Sequence, residues 1–267
     1  MNPSKPSPAD VEAFQRWQSL RHDELAAPDS WLGLVGLFWL EPGRNRVGSE
    51  ESSVVRLPGG PVHLGDLLWQ EGRVIWQPVA GDARELQTDI AGQPSVVEFQ
   101  NWAFFPVHRE NRVAARVRDR DWAVARPFNG VDCFDFDPAW QIEAEWQALE
   151  PSVRMEVPNV SGDLKVVEVS HQAAFEIAGQ PVKLLPMAVG DSEVFFVFRD
   201  RTSGRDSYGA GRFLKTMPPV DGKIRLDFNR AYNPPCAFTS FATCPLPPPE
   251  NWLLFPVAAG ERKWQGK

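Results

Sequence analysis

The chain has 267 residues, with 28 Lys or Arg against 35 Asp or Glu, and so a formal charge of −7. Nucleic acids and anionic membranes bind clustered basic residues, so this charge argues against both as main partners. With 43% hydrophobic residues, a chain of this length buries a core without a disulfide, metal ion or other cofactor.

The first predicted element is a helix within residues 1–28. Ser7 is a suitable N-cap, Pro8 suits the first helical position, and Asp10 completes a variant of the capping box. Hydrophobic residues then recur at helical spacing and predict a face that contacts the core: Val11, Phe14, Trp17 and Leu20.

From residue 29 the pattern changes to the alternation typical of strands. In Arg112–Arg118, for example, three small or branched apolar residues share one face, while Ala114, Arg116 and Arg118 share the other. The close spacing of such segments predicts an antiparallel β-sandwich-like domain over residues 29–125. The other strands predicted in it are Val54–Leu57, Arg73–Val79, Ser95–Phe99 and Trp102–His108.

The turn-rich segment Arg126–Gly130 is a candidate boundary, although it is also compatible with a loop inside one large barrel. A C-terminal β domain is predicted after it, over residues 126–267. The fold class is therefore mainly β, with antiparallel β-sandwich or barrel units and one N-terminal helix. The strands predicted after the boundary include Trp140–Trp146, Val153–Val157, Leu164–Val169, Ala173–Ile177, Val182–Leu185, Val194–Arg199 and Lys223–Phe228.

The location of the protein is predicted from what the sequence lacks. The longest apolar stretch, Trp31–Leu40, is about half the length of a membrane span, and no signal-peptide pattern precedes it. We therefore expect a cytoplasmic protein with reduced thiols at Cys133, Cys236 and Cys244. Pairing of Cys236 with Cys244 stays open, and so does the choice between a monomer and a homo-oligomer.

The motifs in the sequence do not identify a catalysed reaction. The glycine cluster Gly204–Gly211 fits neither a phosphate-binding loop nor the dinucleotide fingerprint. Ser207 forms only half of a nucleophile elbow, and the four histidines do not have metal-ligand spacing. We predict no metal and no cofactor, and the sequence does not decide whether the protein is an enzyme.

Polar residues suited to recognition concentrate in residues 200–251. Arginine forks bind carboxylates or phosphates, asparagine amides orient a ligand, and a tyrosine supplies a ring. These residue types predict a C-terminal pocket for a small polar or anionic molecule, although the same types often fix proline-rich loops in place. The candidate ligand-binding residues are Arg212, Asn229, Arg230, Tyr232 and Asn233.

Two other classes of function remain open. The first is a hydrolase that uses Asp227 as a base or Cys236 as a nucleophile. The second is a structural or interaction protein that docks a partner on the proline-rich segment Asn233–Pro249. An exposed apolar patch over Phe238 and Phe241 would favour the second.

Several long strings carry a resemblance to a known family: Asp200–Gly204, Tyr208–Leu214, Leu226–Thr239 and Ala242–Asn251. In these strings the chain resembles the bacterial and archaeal family called domain of unknown function 1684. Looser similarity covers about Trp31–Arg262, and Arg262 itself departs from the lysine typical of the family. The resemblance implies no activity.

A weaker resemblance concerns the N-terminal part. Leu40–Gly48, followed by Val54–Leu57, is similar to the start of a forkhead-associated β-sandwich, which binds phosphothreonine. Ser49 follows Gly48, but the Asn-Gly pair of that family has no counterpart in the following loops. The resemblance therefore implies a fold and not phosphopeptide binding.

Overall fold

A computed structural model describes residues 6–126 and 128–266. The protein is mainly β with an N-terminal helix, which confirms the predicted fold class. The chain divides into two compact units. The N-terminal β unit is Leu25–Phe128, and the C-terminal β unit begins at Asn129 and includes the helix as far as Glu24. The predicted segments 1–28, 29–125 and 126–267 stay a prediction.

Helix α1 spans Pro8–Ala26 and begins as the sequence predicts. The Ser7 hydroxyl accepts the amide N–H of Asp10 at 3.1 Å and donates to the Asp10 carboxylate at 2.6 Å, so the N-terminal amides are capped. Phe14 is buried and contacts the ring of Phe136 at 5.6 Å. Leu20 is 70% exposed, so the apolar face is narrower than predicted.

The N-terminal β unit contains two sheets. One has the strand order β1-β9-β8-β7 and is antiparallel throughout. The other has the order β3-β2-β4-β5-β6, with one parallel pair between β2 and β3. The elements are β1 Leu34–Trp39, β2 Gly43–Gly48, β3 Val55–Arg56, β4 Gly65–Gln70, β5 Arg73–Pro78, β6 Arg84–Leu86, β7 Val97–Phe99, β8 Trp102–Arg109, β9 Arg112–Asp119 and the short helix α2 Trp122–Ala125.

The core of this unit follows from the alternation in the sequence. Val113, Ala115 and Val117 lie on one face of β9 and are fully buried with residues of the second sheet. Among the latter, Trp76 meets Phe104 edge to face at 5.1 Å. The opposite face of β9, with Arg116 and Arg118, points away from this core.

The C-terminal β unit also has two sheets, ordered β12-β11-β10-β16 and β13-β14-β15. The sequence predicts two strands, Trp140–Trp146 and Val153–Val157. Trp140 instead ends a 3₁₀ turn, Pro138–Trp140, and the other residues belong to one long strand, which the register shift between Ala148 and Val153 interrupts only locally. The strands are β10 Gln141–Pro158, β11 Leu164–Ile177, β12 Gln180–Leu184, β13 Ala188–Val189, β14 Val194–Phe198, β15 Arg212–Thr216 and β16 Lys223–Asp227.

The phenylalanines and cysteines within the proline-rich segment Asn233–Pro249 predict that it packs against the unit, and the structure agrees. Phe238 and Cys244 are buried. The carbonyl of Cys244 accepts the amide of Val160 at 3.0 Å, which ties the segment to the hairpin between β10 and β11. Because prolines leave few backbone donors, the segment forms no strand and has short 3₁₀ turns at Pro235–Ala237 and, at its end, Pro249–Asn251. A further 3₁₀ turn, Phe228–Arg230, precedes it.

Candidate functional site

Arg212, the first residue of β15, is 0% exposed. Its Nη2 donates to the Asp200 carboxylate at 2.8 Å and to the Val257 carbonyl at 2.9 Å. Its Nη1 donates to the carbonyl of Ala259. Burial lowers the pKa of Arg212, while Asp200 opposes that shift. The guanidinium therefore holds three chain segments together in the interior.

A glycine sets the position of this arginine. Gly211 has φ +93°, a left-handed conformation that side chains rarely adopt. A Cβ atom at Gly211 would collide with the carbonyl of Phe198. The close approach lets β15 pair with β14, with Arg212 opposite Phe198, and it points the guanidinium over the Phe198 ring at 5.3 Å.

Arg230 has a different acidic partner. Its Nε lies 3.4 Å from the Asp227 carboxylate, and its side chain is 43% exposed. Asp227 also accepts the backbone amide of Asn229 at 3.2 Å and its side-chain amide at 3.0 Å. Asp227 is therefore the N-cap of the turn Phe228–Arg230, and its carboxylate is occupied in capping.

Tyr232 and Asn233 lie beside helix α1. The guanidinium of Arg21 lies over the Tyr232 ring at 4.9 Å, and burial raises the pKa of Tyr232. Asn233 is buried; its backbone amide donates to Glu261 at 2.6 Å and its side-chain amide to the Arg262 carbonyl at 2.8 Å. Glu261 in turn accepts Arg21 Nε at 2.9 Å.

Arg212 and Arg230, which the sequence analysis assigns to one C-terminal pocket, have separate acidic partners. Each guanidinium faces its own carboxylate, because an arginine placed in or near the interior is stabilised by a nearby charge. Asn229, Tyr232 and Asn233 likewise contact protein groups. Ligand binding by these five residues stays a prediction. The structure supports the alternative that they fix the proline-rich segment.

The residues named for the other functions also have structural partners. The groups around the Cys236 thiol are the Cys244 thiol and the Tyr208 hydroxyl, neither of which is a general base at neutral pH. Ser207 is buried with its hydroxyl 2.7 Å from that of Thr202. Phe238 is buried, so its ring does not contribute to an exposed patch.

A large cavity lies in the N-terminal β unit, on the face of the sheet β1-β9-β8-β7 that points away from the core. Its volume is about 1160 Å³, slightly above the usual range for small-molecule sites. The residues around it are arginines, acids and apolar groups, and all belong to this unit. They include Asp29, Trp31, Asp89, Glu98, Ala103, Phe105, Val107, Arg109, Arg116, Arg118 and Arg120.

Two arginines of β9 lie against aromatic rings in this cavity. Arg116 is only 3% exposed, and its guanidinium lies 5.0 Å from the Trp31 ring. Arg118 lies 5.0 Å from the Phe105 ring. Since alternate residues of a strand share a face, β9 presents both guanidinium groups to the same side, and the rings limit how they can turn.

The other two arginines of the cavity are neutralised by acids. Arg109 lies 2.6 Å from Asp89, and Arg120 lies 3.1 Å from Glu98. Arg118 differs, because its guanidinium forms no hydrogen bond or ion pair with a described residue, and its Nε is buried. Burial lowers the pKa of Arg118, and the charge of Asp29 opposes this. An arginine remains protonated nonetheless, so a partly buried positive charge faces the cavity.

The sequence contained a signal for this site. The alternation of Arg112–Arg118 places Arg116 and Arg118 together on the face opposite the core, and two arginines on one face of a buried strand are unusual. The sequence alone could not bring Phe105 and Trp31 next to them, because Trp31 precedes β1 and Phe105 lies on β8.

Within residues 6–126 and 128–266, no three His, Cys, Asp or Glu side chains cluster in a way that would hold a metal ion. None of the helices described for the chain has the length and apolar character needed to cross a membrane.

A comparison with protein families matches residues 126–262 to the family described as "Protein of unknown function (DUF1684)". The chain belongs to this family. The resemblance found in the sequence is thereby confirmed for the C-terminal residues, and the similarity of the N-terminal part to forkhead-associated domains stays a prediction. Family membership assigns no activity, and the cavity lies outside the matched residues.

Among solved structures, the chain is similar to an uncharacterized protein of Haloarcula marismortui determined by solution NMR. The two are 34% identical over 54% of this chain and 86% of that chain, with a TM-score of 0.42. No curated protein matches the chain.

Proposed function

We propose that the protein binds a small molecule with a carboxylate or phosphate group in the cavity of the N-terminal β unit. The observation that carries the proposal is Arg118, a partly buried guanidinium without a hydrogen-bond partner among the described residues. Burial of part of this charge is costly, and the charge of Asp29 offsets that cost without forming a hydrogen bond. A ligand anion that accepts its N–H groups would remove that cost through charge-assisted hydrogen bonds.

The charges around Arg118 support an anionic ligand. Arg109 and Arg120 are each neutralised by an acid of the same cavity. Arg116 and Arg118 lie beside each other on β9, and the acid that acts on Arg118 is Asp29. The cavity is lined by four acids as well as four arginines, so it has no excess of positive charge for a polyanion, and a single ligand anion next to Arg118 suits it better.

The rings in the cavity support a ligand that also has an apolar or aromatic part. Phe105 and Trp31 hold the guanidinium planes of Arg118 and Arg116, while Ala103 and Val107 line the same cavity. A molecule with a small aromatic body and one anionic group would satisfy both kinds of surface.

The proposed ligand belongs to the class predicted from the sequence, but its site lies in the N-terminal β unit and not in the C-terminal one. The sequence predicts a small polar or anionic molecule in a C-terminal pocket, but there Arg212 is enclosed by protein acceptors. The cavity near Arg118 offers both space and an unpartnered cation, so the chemistry fits better here.

Isothermal titration calorimetry with benzoate, phenyl phosphate and benzylamine tests the proposal. We expect the wild type to bind at least one of the two anions and not the amine. In Arg118→Gln the dissociation constant should rise at least about tenfold, which corresponds to about 1.4 kcal/mol. Affinity should also fall with added salt.

Arg112→Gln is the matched control, because Arg112 lies on the same strand and also stacks on a ring, that of Trp39, at 3.8 Å. It does not line the cavity, so it should bind as the wild type does. Equal affinities of wild type and Arg118→Gln, or no binding of either anion to the wild type, would overturn the proposal.

A further inference from the structure

Two of the three cysteines lie side by side in the C-terminal β unit. The backbone amide of Cys236 donates to the Sγ of Cys244 at 3.3 Å. Neither residue is part of a disulfide in the described structure. The sequence left their pairing open, and the structure brings them within contact distance.

The backbone around each cysteine is held by other parts of the unit. Cys236 lies in the turn Pro235–Ala237, and its carbonyl accepts the Tyr208 hydroxyl at 2.9 Å. The carbonyl of Cys244 accepts the amide of Val160 at 3.0 Å. The pair is therefore positioned by the fold rather than brought together only by the short chain between them.

The two thiols differ in solvent exposure, and the pKa of the more exposed one is shifted. Cys236 is half-buried and Cys244 is buried. The hydrogen bond from Cys244 lowers the pKa of Cys236 below its ordinary 9.0, with help from the Tyr208 hydroxyl and against the effect of burial. Since the thiolate is the nucleophile, Cys236 is suited to attack and Cys244 to follow.

We propose that Cys236 and Cys244 form a dithiol that hydrogen peroxide oxidises to a disulfide. The Cys236 thiolate attacks one peroxide oxygen, the O–O bond breaks, and Cys236 sulfenic acid and hydroxide form. The Cys244 thiolate then attacks the Cys236 sulfur, the S–S bond forms, the S–O bond breaks, and a second hydroxide leaves. The two thiol protons convert both hydroxides to water, so two thiols are oxidised and one peroxide is reduced to two waters.

Tyr208 is the positioning residue of this site. Burial raises the pKa of Tyr208, so its hydroxyl keeps its proton and donates it to the Cys236 carbonyl at 2.9 Å. Tyr208→Phe should leave the disulfide able to form while slowing the first step, which separates positioning from a purely structural effect.

Cys133 provides an internal control in the same chain. Burial raises its pKa to about 11, so it should react with peroxide at least about tenfold more slowly than Cys236. The contrast needs no substitution, because all three thiols are read in one wild-type sample.

The experiment treats the reduced full-length protein with hydrogen peroxide, alkylates the remaining thiols, and maps peptides by mass spectrometry without reduction. We expect one cross-link, between the peptides of Cys236 and Cys244, with a mass lower by two hydrogen atoms, while Cys133 is alkylated. A reductant should restore three alkylated thiols. Oxidation of Cys133 as fast as Cys236, or cross-links only between chains, would overturn the proposal.

Single variants test the order of the two steps. Cys244→Ser should retain sulfenic acid at Cys236, detected as a dimedone adduct, and Cys236→Ser should give neither the adduct nor the cross-link. Cys133→Ser should behave as the wild type. Circular dichroism establishes that each variant is folded. A dimedone adduct at Cys244 in Cys236→Ser, equal in yield to that at Cys236, would reverse the assignment.

Discussion

Arg212 of the C-terminal β unit and Arg118 of the N-terminal β unit are both strand arginines next to a phenylalanine ring. Arg212 donates to a carboxylate and to backbone carbonyls through its terminal nitrogens. Arg118 has no such partners in the described part of the chain. The Nε of each is buried and without a partner, so the difference lies in the terminal nitrogens.

This difference predicts different roles for the two arginines. A buried guanidinium surrounded by acceptors stabilises the fold, because removal of one partner leaves the others uncompensated. A guanidinium that faces a cavity and donates to no protein acceptor contributes little to stability, and its N–H groups remain available to a ligand. Residue type alone does not distinguish the two cases.

The largest effect expected is the loss of stability in Arg212→Met. Removing the guanidinium leaves the buried Asp200 carboxylate without its cation, and the carbonyls of Val257 and Ala259 lose a hydrogen-bond donor. We expect the free energy of unfolding to fall by about 3–5 kcal/mol, measured by urea denaturation. Lys215→Met on the same strand is the control, because Lys215 pairs with Glu193 at the surface and should cause no comparable loss.

A smaller effect concerns the surroundings of Arg212, where burial raises the pKa of Cys133 from 9.0 to about 11. The folded state then binds its thiol proton more tightly than the unfolded state, so stability falls as pH rises from 9 towards 11. Between about pH 8 and pH 10, the wild type should lose about 1 kcal/mol relative to Cys133→Ala. Parallel urea titrations at the two pH values measure this, and equal losses in both proteins would contradict it.

The smallest effect is expected for Arg118→Met. Methionine keeps an unbranched apolar stem against Phe105 and removes a charge that has no partner, so stability should stay the same or increase by up to about 1 kcal/mol. Thermal denaturation without added anions measures it. A loss as large as that of Arg212→Met would show that the contrast between the two arginines is wrong.

Local patterns predicted much of the fold. The helix and its cap follow from Ser7, Pro8 and Asp10, and the inward face of β9 follows from its alternation. The sequence also predicted that the proline-rich segment would be packed. It did not predict that β10 is one long strand, because Pro151 lies inside it and prolines usually end a strand.

The sequence by itself determined the β class of the protein and its family, because alternation, turn residues and short motifs are local properties. Only the tertiary structure decided which arginine is enclosed and which faces a cavity, and that Cys236 lies against Cys244. Those outcomes depend on residues distant in the chain: Asp200 and Ala259 approach Arg212, while Phe105 approaches Arg118. The spacing of residues within one strand carries no information about such partners.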